Sequence, residues 1–267
     1  SKGATGPAAS FSGPRSSPAV GEGKVVTLGI RGILSCLDAA TGKVLWRKTD
    51  LQDATPKFFT SSSPVIVDGM CIAQLGGNDN GVLAAFDLAG GEQKWKWTGE
   101  SPAYASPSLM TVDGVKLVIA ETERRIVAVQ LADGKQVWET PFAAQGMGGY
   151  NASTPVVDGQ VLIFSGGGRG TQAVKFQKNG DSITVKELWK NPDQSVQFNT
   201  PVVKDGLVYG LSQSNQLFCL DAQTGKTAWT TAVGPAGGGG AGGMDRRERG
   251  GSGDRNRGGQ ASRPADT

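Results

Sequence analysis

The 267-residue chain contains no histidine, so it lacks the commonest general base and the commonest metal ligand. Cys36, Cys71 and Cys219 remain as nucleophile candidates. They form no close pair, and their spacing fits neither a zinc site nor a disulfide framework. Cys36 and Cys219 share a recurring position with Ala85 and Ala128, which reads as a small buried apolar site rather than a reactive thiol. Cys71 lies in another apolar strand. Three Gly-rich stretches imitate phosphate loops in composition: Gly76-Gly77-Asn78, Gly146-Met147-Gly148-Gly149 and Gly166 to Gly170. None stands between a strand and a helix, so the phosphate-loop and dinucleotide readings fail. Asn151-Ala152-Ser153 matches a glycosylation sequon, which matters only in a eukaryotic secretory setting. We therefore assign no catalytic residue, no metal and no cofactor.

Binding chemistry is better represented. Aromatic and amide side chains, which suit a ligand or peptide site, stand at Phe58-Phe59, Tyr104, Tyr150-Asn151 and Phe198-Asn199. Each group just precedes a Ser/Thr-Pro pair. Phe59, Tyr104, Tyr150, Asn151, Phe198 and Asn199 are the candidate binding residues.

A repeat positions these groups. Gly32 to Trp46 returns as Gly81 to Trp95, again as Ile126 to Trp138 with Gln130 in place of Asp, and last as Gln216 to Trp229. A degenerate copy with a longer hairpin ends in Glu187-Leu188-Trp189. Each unit opens with Ser/Thr-Pro: Ser17-Pro18, Ser63-Pro64, Ser106-Pro107, Thr154-Pro155 and Thr200-Pro201. Four then reach an Asp-Gly pair (at Asp68, Asp113, Asp158 and Asp205), a strong hairpin signal because the turn needs positive φ. The first unit has Glu22-Gly23 there. Every unit thus reads as four short strands, in the second unit about 63–67, 70–75, 82–88 and 93–98. No segment holds a helical period. The third strand is apolar on both faces (Leu34, Cys36 and Leu37; Leu83, Ala85 and Phe86), so both faces need cover. Four-stranded units of about 45 residues read as propeller blades, which supply that cover.

Trp46, Trp95, Trp138, Trp189 and Trp229 follow the repeat, which assigns them to blade packing, each indole N–H finding a backbone partner. Asp38, Asp87 and Asp221 close the turns before Gly42, Gly91 and Gly225 through side-chain hydrogen bonds. The expected blades lie near 10–50, 56–98, 101–141, 150–190 and 196–233 of an all-β domain, 1–233. In this layout the candidate binding residues ring one mouth of the central channel.

The pattern Leu-x-Cys/Ala-Leu/Phe-Asp-x-x-Thr/Gly-Gly-Lys/Glu-x-x-Trp resembles the PQQ-like, or quinoprotein-like, β-propeller family over about residues 10–233. One branch holds quinoprotein alcohol and sugar dehydrogenases, the other non-catalytic scaffolds such as BamB. The repeats look most like BamB-like and planctomycete-type envelope proteins. The dehydrogenases carry a vicinal cysteine pair and a Ca²⁺ site that do not map onto this chain. The resemblance implies a non-catalytic scaffold of the periplasm or cell envelope that binds protein partners, with a dehydrogenase fragment as the alternative. Propellers of this family usually have seven or eight blades. The five visible here imply an incomplete arc whose terminal blades expose apolar faces like those of Leu37 and Leu220.

Composition adds limits. A formal charge of +3 is too small to argue for a nucleic-acid or membrane surface. No apolar run approaches the ~18 residues of a membrane span. The chain opens at Ser1 without Met or a leader, as a mature form or fragment does. From Gly234 to Thr267 it is rich in Gly and Arg, with Met244 as its only large apolar residue. Such a tail buries too little to order itself, and disorder is expected. Its two RGG copies, at Arg249 and Arg257, are too few to argue for RNA.

Overall fold

A computed structural model describes residues 15–52, 54–77, 80–145 and 150–234. The expected tail lies outside them. The described residues form five separate four-stranded antiparallel sheets, each ordered by sequence, with no helix. In the second blade the strands run Val65–Val67, Met70–Leu75, Val82–Asp87 and Gln93–Thr98. In the fifth they run Val202–Lys204, Leu207–Leu211, Gln216–Asp221 and Thr227–Ala232.

The hairpins form as their residues dictate. Asp68, Asp113 and Asp205 adopt φ of 48°, 46° and 52°, each followed by a positive-φ glycine, and Glu22-Gly23 does the same. The fourth blade differs: Asp158 pairs with Val161, so its turn moves one residue on, to Gly159-Gln160. In that blade the third and fourth strands, Gly170–Asn179 and Ser182–Asn191, make the long hairpin. Asp38 and Asp221 accept hydrogen bonds from the amides of Thr41 and Thr224, and Asp87 from Gly90, as expected of turn-closing carboxylates.

A register shift recurs at one place in every blade, beside Cys36, Ala85, Ala128, Ala173 and Cys219. Each of these small residues pairs with its blade's repeat tryptophan. The bulge re-aims the outer strand there, and the small partner leaves room for the indole. Cys36, Cys71 and Cys219 are all buried, and burial pushes the Cys71 thiol up to about 12.

One contact recurs at three of the four junctions between successive blades. Trp46, Trp95 and Trp189 are buried and donate Nε1–H to the carbonyls of Leu88, Leu131 and Ala222 in the next blade, at 3.0, 2.7 and 2.9 Å. Each indole lies against a turn glycine of that blade, Gly91, Gly134 or Gly225. Along the inner edge, the amides of Ser17, Ser63, Ser106 and Thr154 donate to the hydroxyls of Ser63, Ser106, Thr154 and Thr200. The Ser/Thr of the opening pair is therefore an inter-blade clasp.

Two of the five tryptophans depart from the expected role. Trp138 is half-buried and meets Phe176 of the long hairpin edge-on at 5.2 Å, because the fourth blade has no Asp-x-x-x-Gly turn to receive it. Trp229 is 43% exposed, because no described blade covers that face. The first blade packs on the second and the fifth on the fourth, while the Gly42 turn and Trp229 meet no further blade, so the described blades form an open series. Leu220 does not lie on the open face as expected. It is fully buried against the fourth blade, and the open side of its sheet carries Trp229 and Val202 instead.

Candidate functional site

The approach to the first strand of each blade breaks the repeat, and there the structure gathers an aromatic cluster. The Phe58, Tyr104 and Tyr150 rings meet mutually. Phe58 and Tyr150 are edge-on with centroids 4.9 Å apart, and Tyr104 and Tyr150 edge-on at 5.8 Å. The Phe58 amide donates to the Tyr104 hydroxyl at 3.1 Å, and Arg15 donates to the Phe58 carbonyl. Burial raises the Tyr104 phenol above its ordinary range.

Asn151 holds this cluster to the third blade. Its Nδ2 donates to the carbonyls of Thr122, Glu123 and Phe142 at 2.9, 3.2 and 2.8 Å, while its own carbonyl accepts from the Tyr104 amide. It is almost wholly buried, so it is no sequon for a glycan as folded. Its Oδ1 is buried and has no partner among the described residues. A cavity of about 190 Å³ opens beside it, lined by Pro56, Lys57, Tyr104, Glu123, Tyr150 and Asn151 among others. The tyrosine rings and the Lys57 ammonium of this lining suit an apolar or aromatic side chain.

Three candidate residues, Tyr104, Tyr150 and Asn151, are thus brought together. The other three are not among them. Phe59 has φ of 65° and turns its ring to Arg15, leaving Phe58 to face the tyrosines. Phe198 is exposed, and Asn199 donates to the Leu211 carbonyl of its own blade.

Sequence reasoning missed two buried charged clusters. Glu100, with its side chain shut off from solvent, receives Arg124 Nε at 2.7 Å, Arg125 Nε at 2.9 Å and Thr122 Oγ1 at 2.6 Å. It stands at the edge of a polar groove of about 730 Å³ that shares Ser101 and Glu123 with the smaller cavity. Glu121 is buried with neither carboxyl oxygen partnered among the described residues. Burial holds its carboxyl well above the ordinary glutamate range, and the positive charge of Arg169 opposes that rise. Arg169 itself stacks on Phe142 at 4.0 Å and donates to its carbonyl at 2.5 Å. One signal was present. Counted from the Asp-Gly pair, Glu121 occupies the place of Gly76 and Gly166 in neighbouring blades.

Among the described residues no cluster of three or more acidic or thiol ligands could hold a metal, and no helix could cross a membrane.

Comparison with known proteins adds to this geometry. The family profile described as outer membrane protein assembly factor BamB matches residues 3–231. A protein of that name from Yersinia pestis is 26% identical over 76% of this chain and 53% of its own length. One from Xanthomonas campestris is 26% identical over 85% of this chain and 56% of its own. The chain therefore spans about half the length of these relatives. The crystal structure of BamB from Moraxella catarrhalis superposes with a TM-score of 0.60 at 20% identity, over 81% of this chain and 64% of that one. This likeness concerns the fold.

Proposed function

The chain belongs to the family described as outer membrane protein assembly factor BamB, and from that membership we propose that it is a non-catalytic scaffold of the cell envelope. On this reading it holds outer-membrane polypeptides, or the partners that assemble them, at the channel mouth. The observation that carries the site is the Phe58–Tyr104–Tyr150 cluster beside the 190 Å³ cavity. Nascent outer-membrane strands are extended, alternate apolar with polar residues and carry interfacial aromatics. Such a segment offers a ring to the tyrosine wall. Burying one aromatic side chain in a pocket of this kind makes a binding hot spot.

The test uses a fluorescent peptide copied from the terminal strand of an outer-membrane barrel protein. Anisotropy should report saturable binding that weakens at least about tenfold in Tyr150→Ala, a loss of ~1.4 kcal/mol. Because Tyr150 also packs on Phe58 and Tyr104, Tyr150→Phe, which keeps the ring, should retain binding and the parent's unfolding midpoint. Equal binding by the variant, or no binding by the parent, contradicts the mouth as the site. Added PQQ and Ca²⁺ should support no dye reduction with alcohols or aldoses. Robust turnover would overturn the scaffold reading.

A further inference from the structure

The turn joining Val115–Glu121 to Arg125–Gln130, the second and third strands of the third blade, is pinned at each residue. The Thr122 amide and hydroxyl both donate to the Arg125 carbonyl, at 2.8 and 2.9 Å, closing the turn on itself. The Glu123 amide donates to the Ser101 carbonyl at 3.1 Å, and the Phe142 amide to the Arg124 carbonyl at 2.7 Å. Thr122 also forms a β-bridge with Pro102. The segment that enters the blade is therefore strapped to this turn, and Glu100 fixes the turn's side chains. Its carboxylate is shut off from solvent and holds Nε of both Arg124 and Arg125. Arg125 gives one Nη to Glu139 as well, at 2.9 Å. The Arg124 side chain is 66% exposed and engaged through Nε alone, and its two Nη groups meet no acceptor among the described residues. Arg124 lines the 730 Å³ groove together with Lys96, which has no carboxylate partner among the described residues.

We propose that Arg124 is a clamp for a carboxylate on the polypeptide held at the tyrosine cluster, an inference that rests on the polypeptide reading above. A guanidinium already fixed by a buried partner loses little freedom on binding, and its paired N–H groups match the two oxygens of a carboxylate. The groove adjoins the aromatic cavity and shares Ser101 and Glu123 with it, so one extended segment spans both. The segment's ring enters beside Tyr104 and Tyr150, and a neighbouring carboxylate reaches Arg124, with Lys96 as the second cation. Glu123, at the boundary of the two spaces, limits the charge of the ligand. With Glu100 already behind Arg124, a doubly charged phosphate meets more repulsion there than a singly charged carboxylate does. The clamp adds a requirement that the tyrosine wall alone does not impose, an acid close to the aromatic residue.

Labelled peptides and the full chain test this by fluorescence anisotropy. One peptide carries a single Phe flanked on both sides by Glu, with both ends capped. Its twin has Gln in place of every Glu. A third has the Gln sequence ending in Phe with a free terminal carboxylate. The parent should bind the Glu peptide about tenfold more tightly than the Gln twin, as a hydrogen bond to a charged group requires. The third peptide assigns the source of the carboxylate: binding at the level of the Glu peptide means that a chain end serves, and binding at the level of the twin means that a side chain is needed. In Arg124→Gln the preference for Glu should vanish while the twin binds as before. Arg124→Lys, which keeps the charge but not the paired donors, should restore part of it. Arg125 still holds Glu100 in both variants, so both should keep the parent's circular dichroism and unfolding midpoint. Inorganic phosphate should compete no better than chloride at matched ionic strength. Equal binding of the Glu and Gln peptides by the parent overturns the clamp, as does a preference that survives Arg124→Gln or specific competition by phosphate. A preference for Glu that persists in Tyr150→Ala upholds the clamp and overturns only the tyrosine site. Equal binding of both peptides that is lost in Tyr150→Ala does the reverse, and no binding of any peptide by the parent overturns both.

Discussion

The blade junctions and the aromatic cluster are built from the same repeat, yet they use it in opposite ways. At the junctions one residue type returns at one position and does one job: Trp46, Trp95 and Trp189 each cover a glycine and reach a carbonyl. At the cluster the residues before each Ser/Thr-Pro pair differ from unit to unit, and only Phe58, Tyr104 and Tyr150 come together. A side chain that follows a repeat serves the repeat. One that departs from it is free to serve a ligand. Glu121, standing where neighbouring blades have glycine, belongs to the second kind.

Removing a junction residue should produce the largest effect. Trp95→Ala deletes a buried indole and leaves the Leu131 carbonyl without its donor. A loss of about 3–5 kcal/mol in urea unfolding is expected. A loss below ~1 kcal/mol would break the contrast between the regions. Gly134→Ala comes next, because its Cβ would lie 2.6 Å from the Trp95 ring. Gly42→Ala carries the same left-handed strain, φ 70° against 74°, without the collision. The difference between the two variants isolates the ring contact, and equal losses would show that backbone strain alone matters.

A buried carboxylate should show itself through pH. The unfolded chain releases the Glu121 proton near the ordinary value of ~4.3, and the folded chain at a higher pH. Between the two the folded state binds more protons, so this group makes stability fall as pH rises through that window. Glu121→Gln should flatten that part of the profile and raise stability at neutral pH. An unchanged slope would mean that Arg169 already offsets the burial. The smallest effect belongs to Trp229→Ala. In dilute monomer it should shift stability by no more than about 0.5 kcal/mol, as exposed substitutions do. A loss comparable to that of Trp95→Ala would mean that the fifth blade's open face is covered in solution.

The same contrast sets how much of the molecule was legible in the sequence. Asp68-Gly69 and its counterparts declare their hairpins because few residues tolerate positive φ, and the recurring tryptophans declare the blade period. The bulge beside Cys36 and Ala85 was visible only as a recurrent small residue, since its reason is the indole across the strand pair. Tyr104, Tyr150 and Asn151 were found because they precede a repeated marker. That position does not fix where a ring points: Phe59 turns away on its left-handed backbone while Phe58 takes its place. Phe198 and Asn199 stand at the same marker but lack aromatic neighbours. The Glu121–Arg169 pair was hidden because a carboxylate at a strand end reads as a solvent contact until the fold buries it. Trp229 was indistinguishable from its four counterparts, because its exposure depends on the neighbouring blade and not on its own blade's residues.

The claim that the mouth binds polypeptide while the outer strands only enclose it can be tested by site-specific photo-crosslinking. A photoreactive phenylalanine analogue is placed at Tyr150, and in a second variant at the exposed Lys186 of the long outer hairpin. Each is mixed with a purified, urea-unfolded outer-membrane barrel protein and illuminated on dilution. Crosslinks should form from position 150 and not from position 186, and an excess of the terminal-strand peptide should suppress them. Equal crosslinking from both positions, or crosslinking at 186 alone, would contradict the account.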